Sequence, residues 1–310
     1  MKISYSGQSL MKACEKRFFL EKVAKASPDA DYADDFTALQ FGTAFHYVLE
    51  HSKHDHKLFS EELLNKAMKE AGFDDFAREI KFKVYACLTS YYKLRKASGL
   101  TLVASEYKVG DDDIVGYADA ILTDSNQSWS ILDNKTSGWV QPEMFPRLTR
   151  DPQLNLYAAY AADMAKTHGL DLEKFTGIRY NVVQKPKHVV KKDESMKDYC
   201  TRSNPACYEV FIPKEQLVPS DAVHLIKSAL AKAKLLTEET AEPNYSNCLQ
   251  YNRPCPFWSR CYGVTYSDSQ KNLKVFDQET MVDQTHLLPV TEEKEVDPLL
   301  SDDEELAFLM

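Results

Sequence analysis

Several features are missing from this sequence, and each absence narrows its class. No charged segment leads into a short apolar run at the start, and no apolar stretch is long enough to span a bilayer. The expectation is a soluble, cytoplasmic protein with no membrane partner. There is no G-x-x-x-x-G-K-[ST] loop, so the sequence carries no P-loop motor of its own. Internal repeats and low-complexity tracts are absent. There is no even complement of cysteines: seven, without a secretory signal, disfavour a disulfide framework and favour metal or redox use. An excess of positive charge is also lacking. The net charge is −9, but residues 265–310 hold 12 acids and 3 bases, leaving 35 of each sign in residues 1–264. A neutral body does not announce nucleic-acid binding, yet leaves room for a local basic channel.

With 44% hydrophobic and 11% aromatic residues, the chain can bury a sizeable core. Apolar spacing predicts helices over 6–25, 35–51, 61–72 and 74–96, the last two within an inserted helical lobe of about 53–100. The period then changes. "TLVASEYKV", "DIVGYADAILT" and "WSILDNK" read as strands joined by the turn signals "GDDD" and "DSNQS". A long helix over 142–166 follows, then strands "GIRYNVVQK" and "CYEVFIP" around a polar loop at 185–204, a helix over 215–238 and a cysteine-bearing knot at 242–263. Pro and acidic residues dominate thereafter, and 265–310 reads as an acidic, disordered tail.

"ILDNKTSGW" ends an apolar run in an acid, an amide and a base. If the run is a strand, Asp133 and Lys135 share a face, because side chains alternate with period two. A turn centred on Asn126 places Asp119 opposite Asp133, with Cβ atoms about 4.5–5.5 Å apart. Two acids that close repel unless a cation sits between them. A structural ion pair is one answer. A hard-oxygen site for Mg²⁺ or Mn²⁺ beside a lysine that orients or deprotonates water is the other.

The neighbouring residues resemble the RecB-like branch of the PD-(D/E)XK nuclease superfamily, in order, over residues 4–263. "SYSGQSLMKACEKRFFL" is similar to the family's opening helix, and "FGTAFH" to its G-x-x-x-H motif, which makes His46 a metal ligand. "GYAD" resembles the G-x-x-D element and "ILDNKT" the D-x-K element, which assigns Asp119 and Asp133 as ligands and Lys135 as the catalytic lysine. "QLNLY" resembles Q-x-x-x-Y, so that Gln153 and Tyr157 are expected to face the site, with Glu106 as an accessory acid. The resemblance implies an α/β fold, a mixed sheet of about five strands flanked by helices, with an N-terminal helical lobe.

"NCLQYNRPCPFWSRC" places Cys248, Cys255 and Cys261 within 14 residues, a spacing suited to a metal knot that needs a fourth ligand. In the iron–sulfur branch of the family, which includes the AddB nuclease domain, CRISPR-associated RecB-like exonucleases and phage-type exonucleases, one N-terminal cysteine joins three C-terminal ones. Cys14 takes that place here. The resemblance implies a [4Fe–4S] clasp, with structural Zn²⁺ as the alternative. Six residues separate Cys248 from Cys255 where that branch commonly has two. Cys87, Cys200 and Cys207 are left outside the set.

The expected domain is a nuclease over 1–264 followed by the tail. The expected activity is a Mg²⁺- or Mn²⁺-dependent DNA exonuclease, in recombination, repair or phage DNA processing. Alternatives are end-trimming before CRISPR spacer integration, or a non-catalytic DNA-binding protein with a zinc knot. Partners would be single-stranded or duplex-end DNA and a separately supplied helicase. The tail ends in Leu306, Phe308, Leu309 and Met310 and contains "QTHLLP" at 284–289. The first resembles the partner-docking tails of single-stranded-DNA-binding proteins and the second a sliding-clamp-binding pattern, so a helicase, a single-strand-binding protein or a sliding clamp is the expected partner of the tail.

Overall fold

The computed structural model describes residues 1–29, 37–73, 77–250 and 253–271. Helix α1 (Tyr5–Ala13) is capped by Ser4, whose Oγ accepts from the Gly7 amide. The expected single helix over 6–25 is interrupted at Cys14, which is extended at φ −164°, ψ 113°. Cys14 then caps α2 (Glu15–Phe18), its Sγ accepting from the Arg17 amide, and the chain continues as a π-turn, Phe19–Val23. Apolar periodicity alone does not show this break, because Leu10, Cys14 and Phe18 keep the stripe through it.

Helices α3 (Thr37–His51), α4 (Glu61–Glu70) and α5 (Arg78–Ser98) follow. Their apolar stripes meet in one cluster, with Phe45, Val48, Leu49, Leu64, Leu88 and Tyr91 buried together. Burial of each such side chain contributes about 1.5–3 kcal/mol. Gly99 ends α5 in the left-handed region at φ 66°, a conformation open to glycine without a Cβ clash.

Five strands form the sheet: β1 (Thr101–Gly110), β2 (Val115–Thr123), β3 (Trp129–Ser137), β4 (Phe175–Gln184) and β5 (Cys207–Pro213), in the spatial order of their numbers. β1–β2 and β2–β3 are antiparallel, β3–β4 parallel and β4–β5 antiparallel. The chain is therefore α/β with a mixed five-stranded sheet flanked by helices. The β2–β3 register is the expected one, with Ala120 opposite Leu132 and Thr123 opposite Trp129. Asp124 fixes it by accepting the Asn126 and Ser128 amides on Oδ1.

The predicted long helix over 142–166 is three pieces: a 3₁₀ segment (Pro142–Arg150), α6 (Pro152–Ala159) and α7 (Ala161–His168). Pro146 sits inside the first, and Asp151 starts α6 by capping the Gln153 and Leu154 amides ahead of Pro152. The polar loop expected at 185–204 contains helix α8 (Met196–Ser203), capped by Ser195 and closed by Asn204 at φ 32°. The helix expected over 215–238 is the shorter α9 (Pro219–Ala233). It packs on the N-terminal helices, with Ile3, Met11, Phe18, Ile226 and Leu230 in one cluster.

Short strands β6 (Leu249–Gln250) and β7 (Arg253–Pro254) and helix α10 (Trp258–Tyr262) form the cysteine-bearing segment. The tail expected to be disordered from 265 begins instead with helix α11 (Tyr266–Lys271), and Tyr266 sets its ring against Trp258. "QTHLLP" and the apolar terminus lie outside the described residues. Among the described residues no helix is long and apolar enough to cross a membrane.

Candidate active site

Strand alternation brings Asp133 and Lys135 to one face of β3, where Lys135 Nζ donates to Asp133 Oδ1 at 3.0 Å and lies 2.9 Å from Oδ2. Asp133 is 1% exposed, Lys135 about a third. Burial pushes the Asp133 carboxyl up to about 6 despite the ammonium beside it. Lys135 is partly desolvated, but Asp133 and Asp119 together hold its ammonium up at about 12.

Beyond the Ala120–Leu132 pair, β2 and β3 are joined through a side chain. Asp119 Oδ2 accepts the Asn134 amide at 2.5 Å. Its Oδ1 lies 3.3 Å from His46 Nδ1 on α3. Burial opposes ionisation of Asp119, but His46, Lys135 and the Asn134 amide outweigh it and hold the carboxyl below its usual range. Burial likewise opposes protonation of His46, and Asp119 raises it overall.

Glu106 enters from β1 with a backbone φ of 48°. A left-handed glutamate inside a strand costs on the order of 1–3 kcal/mol, and such strain collects at functional sites. Burial, then the charge of Asp119, pushes its carboxyl up to about 7. His46, Glu106 and Asp119 form the one group of three His, Cys, Asp or Glu ligand atoms within 4.8 Å of one another among the described residues. The family resemblance groups Asp133 with His46 and Asp119 and gives Glu106 an accessory place. In the structure Glu106 completes the trio, while the Asp133 carboxylate is engaged by Lys135.

Gln153 and Tyr157 were expected to face the site. Tyr157 is buried beneath β2 and donates its hydroxyl to the Tyr117 carbonyl at 2.5 Å, two residues before Asp119. Gln153 Nε2 donates to the same hydroxyl at 2.6 Å. The pair therefore holds the backbone that carries Asp119. Burial, then the Asp133 and Asp119 charges, raises the Tyr157 phenol far above its usual range.

His46, Glu106 and Lys135 line an open cavity of about 510 Å³ with Gly42, Glu50 and Thr136. Sequence reasoning missed Glu50, although its i+4 spacing from His46 puts both on one helix face. It also missed His54, whose Nδ1 lies 2.5 Å from the Tyr91 hydroxyl. Burial pushes its imidazole down to about 4, against the charge of Asp119, which favours protonation.

The cysteines separate into two sets. Cys14, Cys248 and Cys255 line a cavity of about 300 Å³ with Arg17, Asn244 and Asn247. Cys14 Sγ accepts the Arg17 and Asn244 amides, each at 3.4 Å. Cys261, on α10, feels the charges of Cys248 and Cys14 after burial as the main influence on its thiol. Cys87 is a core residue of α5, and burial pushes its thiol far up, as it pushes Cys207 up to about 11. Cys200 is buried on α8.

A family model described as the PD-(D/E)XK nuclease superfamily matches residues 2–262. No curated protein matches the chain. One solved structure, titled "Crystal structure of SSO0001", is 14% identical and covers 78% of this chain and 92% of that one. Its TM-score of 0.26 is too slight a likeness to bear on the fold.

Proposed function

The chain belongs to the PD-(D/E)XK nuclease superfamily, and on that premise we propose that it is a divalent-metal-dependent deoxyribonuclease acting from DNA ends. The observation that carries this reading is the convergence of His46, Glu106 and Asp119 beside the Asp133–Lys135 pair. The donor set suits the metal: hard carboxylate oxygens with one imidazole, in an open cavity, match Mg²⁺ or Mn²⁺. His46, Asp119 and Glu106 would hold the ion, and Asp133 would join once released from Lys135. Bound there, it would acidify a water and neutralise phosphate charge.

The side chains divide the remaining work. Lys135, whose ammonium Asp133 and Asp119 favour, would orient or deprotonate the attacking water and steady the phosphate. The Asn134 amide fixes one Asp119 oxygen and leaves the other toward His46. Tyr157 and Gln153 keep the β2 backbone in place beneath it.

The same reading extends to a [4Fe–4S] clasp on Cys14, Cys248, Cys255 and Cys261. A thiol-lined cavity and two amide donors aimed at Cys14 Sγ support thiolate ligation there. The biological setting proposed is recombination, repair or phage DNA processing.

The deciding experiment is cleavage of end-labelled DNA by Asp133→Ala and Lys135→Ala proteins in Mg²⁺ or Mn²⁺. Both should lose turnover while keeping the fold and DNA affinity, since the chemical step alone depends on these groups. Undiminished cleavage by either variant would overturn the assignment.

A further inference from the structure

Two large aromatic side chains stand exposed beside the acidic site, and neither packs against the core. Tyr117 is 52% exposed and lies two residues before Asp119, on the same face of β2. Trp139 is 60% exposed and follows Lys135 by four residues, just past the end of β3. Single exposed apolar residues are ordinary. The mounting of Trp139 is not.

Ser137 Oγ donates to the Trp139 carbonyl at 2.5 Å and accepts its amide at 3.2 Å. The Ser137 carbonyl in turn accepts the Lys185 amide at 2.7 Å, tying the turn to the end of β4. The backbone is fixed on a rigid strand end while the indole is left in water. A pre-positioned ring loses little freedom on binding a flat partner. The 3₁₀ segment that follows buries none of its residues and carries Arg147 and Arg150, both exposed. Among the described residues no ion pair involves either arginine. Exposed cations on the segment that follows an exposed ring complement a chain that has phosphates and flat faces together.

We propose that Trp139, past the end of β3, with Tyr117 on the Asp119 face of β2, forms a stacking platform for unpaired bases, making single-stranded DNA the polymer this site receives. The proposal rests on the nuclease reading and deepens it by naming the strand state. Paired bases hide their faces in the duplex stack, so an exposed indole serves unpaired ones. Arg147 and Arg150 would follow the phosphates of the same strand.

Of the chain's three tryptophans, Trp129 is buried, Trp258 is half-buried and stacked on Tyr262, and only Trp139 is exposed, which makes the test direct. An oligothymidine strand added to the full-length protein in EDTA should quench tryptophan fluorescence. Trp139→Phe should bind nearly as tightly but lose most of the quench. Trp139→Ala should weaken binding by about 5- to 150-fold, the usual range for one stacked base. An oligonucleotide of abasic sites should bind wild type and Trp139→Ala alike, since only the base contact differs. A quench that persists in Trp139→Phe, or oligothymidine affinity unchanged in Trp139→Ala, would overturn the platform. Because binding is read without metal, failure of the platform is separable from failure of the nuclease reading, which would appear as no Mg²⁺- or Mn²⁺-dependent cleavage of any DNA.

Discussion

Glu106 shows a residue held in an unfavourable state by its surroundings. Its backbone is left-handed and its carboxyl is raised to about 7. A carboxyl whose folded pKa exceeds its unfolded value contributes stability in acid, and that contribution is lost as pH rises through the folded value. Metal-free Glu106→Gln should therefore melt close to wild type near about pH 5 and above it near about pH 8. Thermal melts in EDTA read this, and Mn²⁺ should reverse the order at the higher pH by stabilising wild type more. A wild-type protein that outlasts Glu106→Gln at every pH without metal would contradict it. Glu106→Gly should add stability on the order of 1 kcal/mol by relieving the backbone, while metal-dependent cleavage falls. The sequence offered Glu106 only as an acid before the G-x-x-D strand. Nothing in "VASEYKV" signals a left-handed residue, since that conformation is imposed by the sheet around it.

At the scale of elements, the parts set by local chemistry were legible and those set by tertiary contact were not. The β2–β3 register followed from "DSNQS" and strand alternation, and it put Asp119 next to Asp133 before any packing was known. The long helix over 142–166 failed because Asp151–Pro152, a cap followed by a proline at the first helical position, marks a new start that the apolar stripe conceals. The ion cluster under α5 was not visible in the sequence at all. Arg95 on α5 and Arg179 on β4 both bind Glu209 on β5, and Arg179 Nε also donates to Ser130 on β3 at 3.1 Å. Removing one member of a buried ionic group costs about 3–5 kcal/mol, because the others remain charged and unpaired. Glu209→Ala should thus lower the melting temperature sharply, whereas neutralising Glu106 raises it above neutral pH. Calorimetry of the two variants side by side distinguishes a structural charge from one kept for ligation. A mild effect of Glu209→Ala would show the cluster to be hydrated.

For the whole molecule, the segments before α3 and after α9 pack as one body. The Lys16 amide donates to the Glu242 carbonyl at 3.0 Å, Asn247 Nδ2 to the Ala13 carbonyl at 2.6 Å, and the Ser259 amide to Asp29 at 2.7 Å. On the proposed iron–sulfur clasp, Cys255→Ala should lower both iron content and melting temperature, since ligation that closes a long loop would contribute to folding. Zinc in place of iron in colourless, anaerobically prepared protein would exclude the iron–sulfur form. The acidic tail is best cut after α11, because Tyr266 packs on Trp258. Deleting 272–310 should leave cleavage of short DNA equal or higher, and a loss of intrinsic cleavage would place those residues within the catalytic fold. The meeting of the two chain segments also sets a schedule for synthesis. Asn244 lies 230 residues after Cys14, which at about 5–20 residues per second is roughly 10–50 s of translation. Throughout that interval the nascent thiol has no partner segment to shelter it. Ribosome-bound chains halted before residue 244 should label readily at Cys14 with a thiol reagent, and released chains should not.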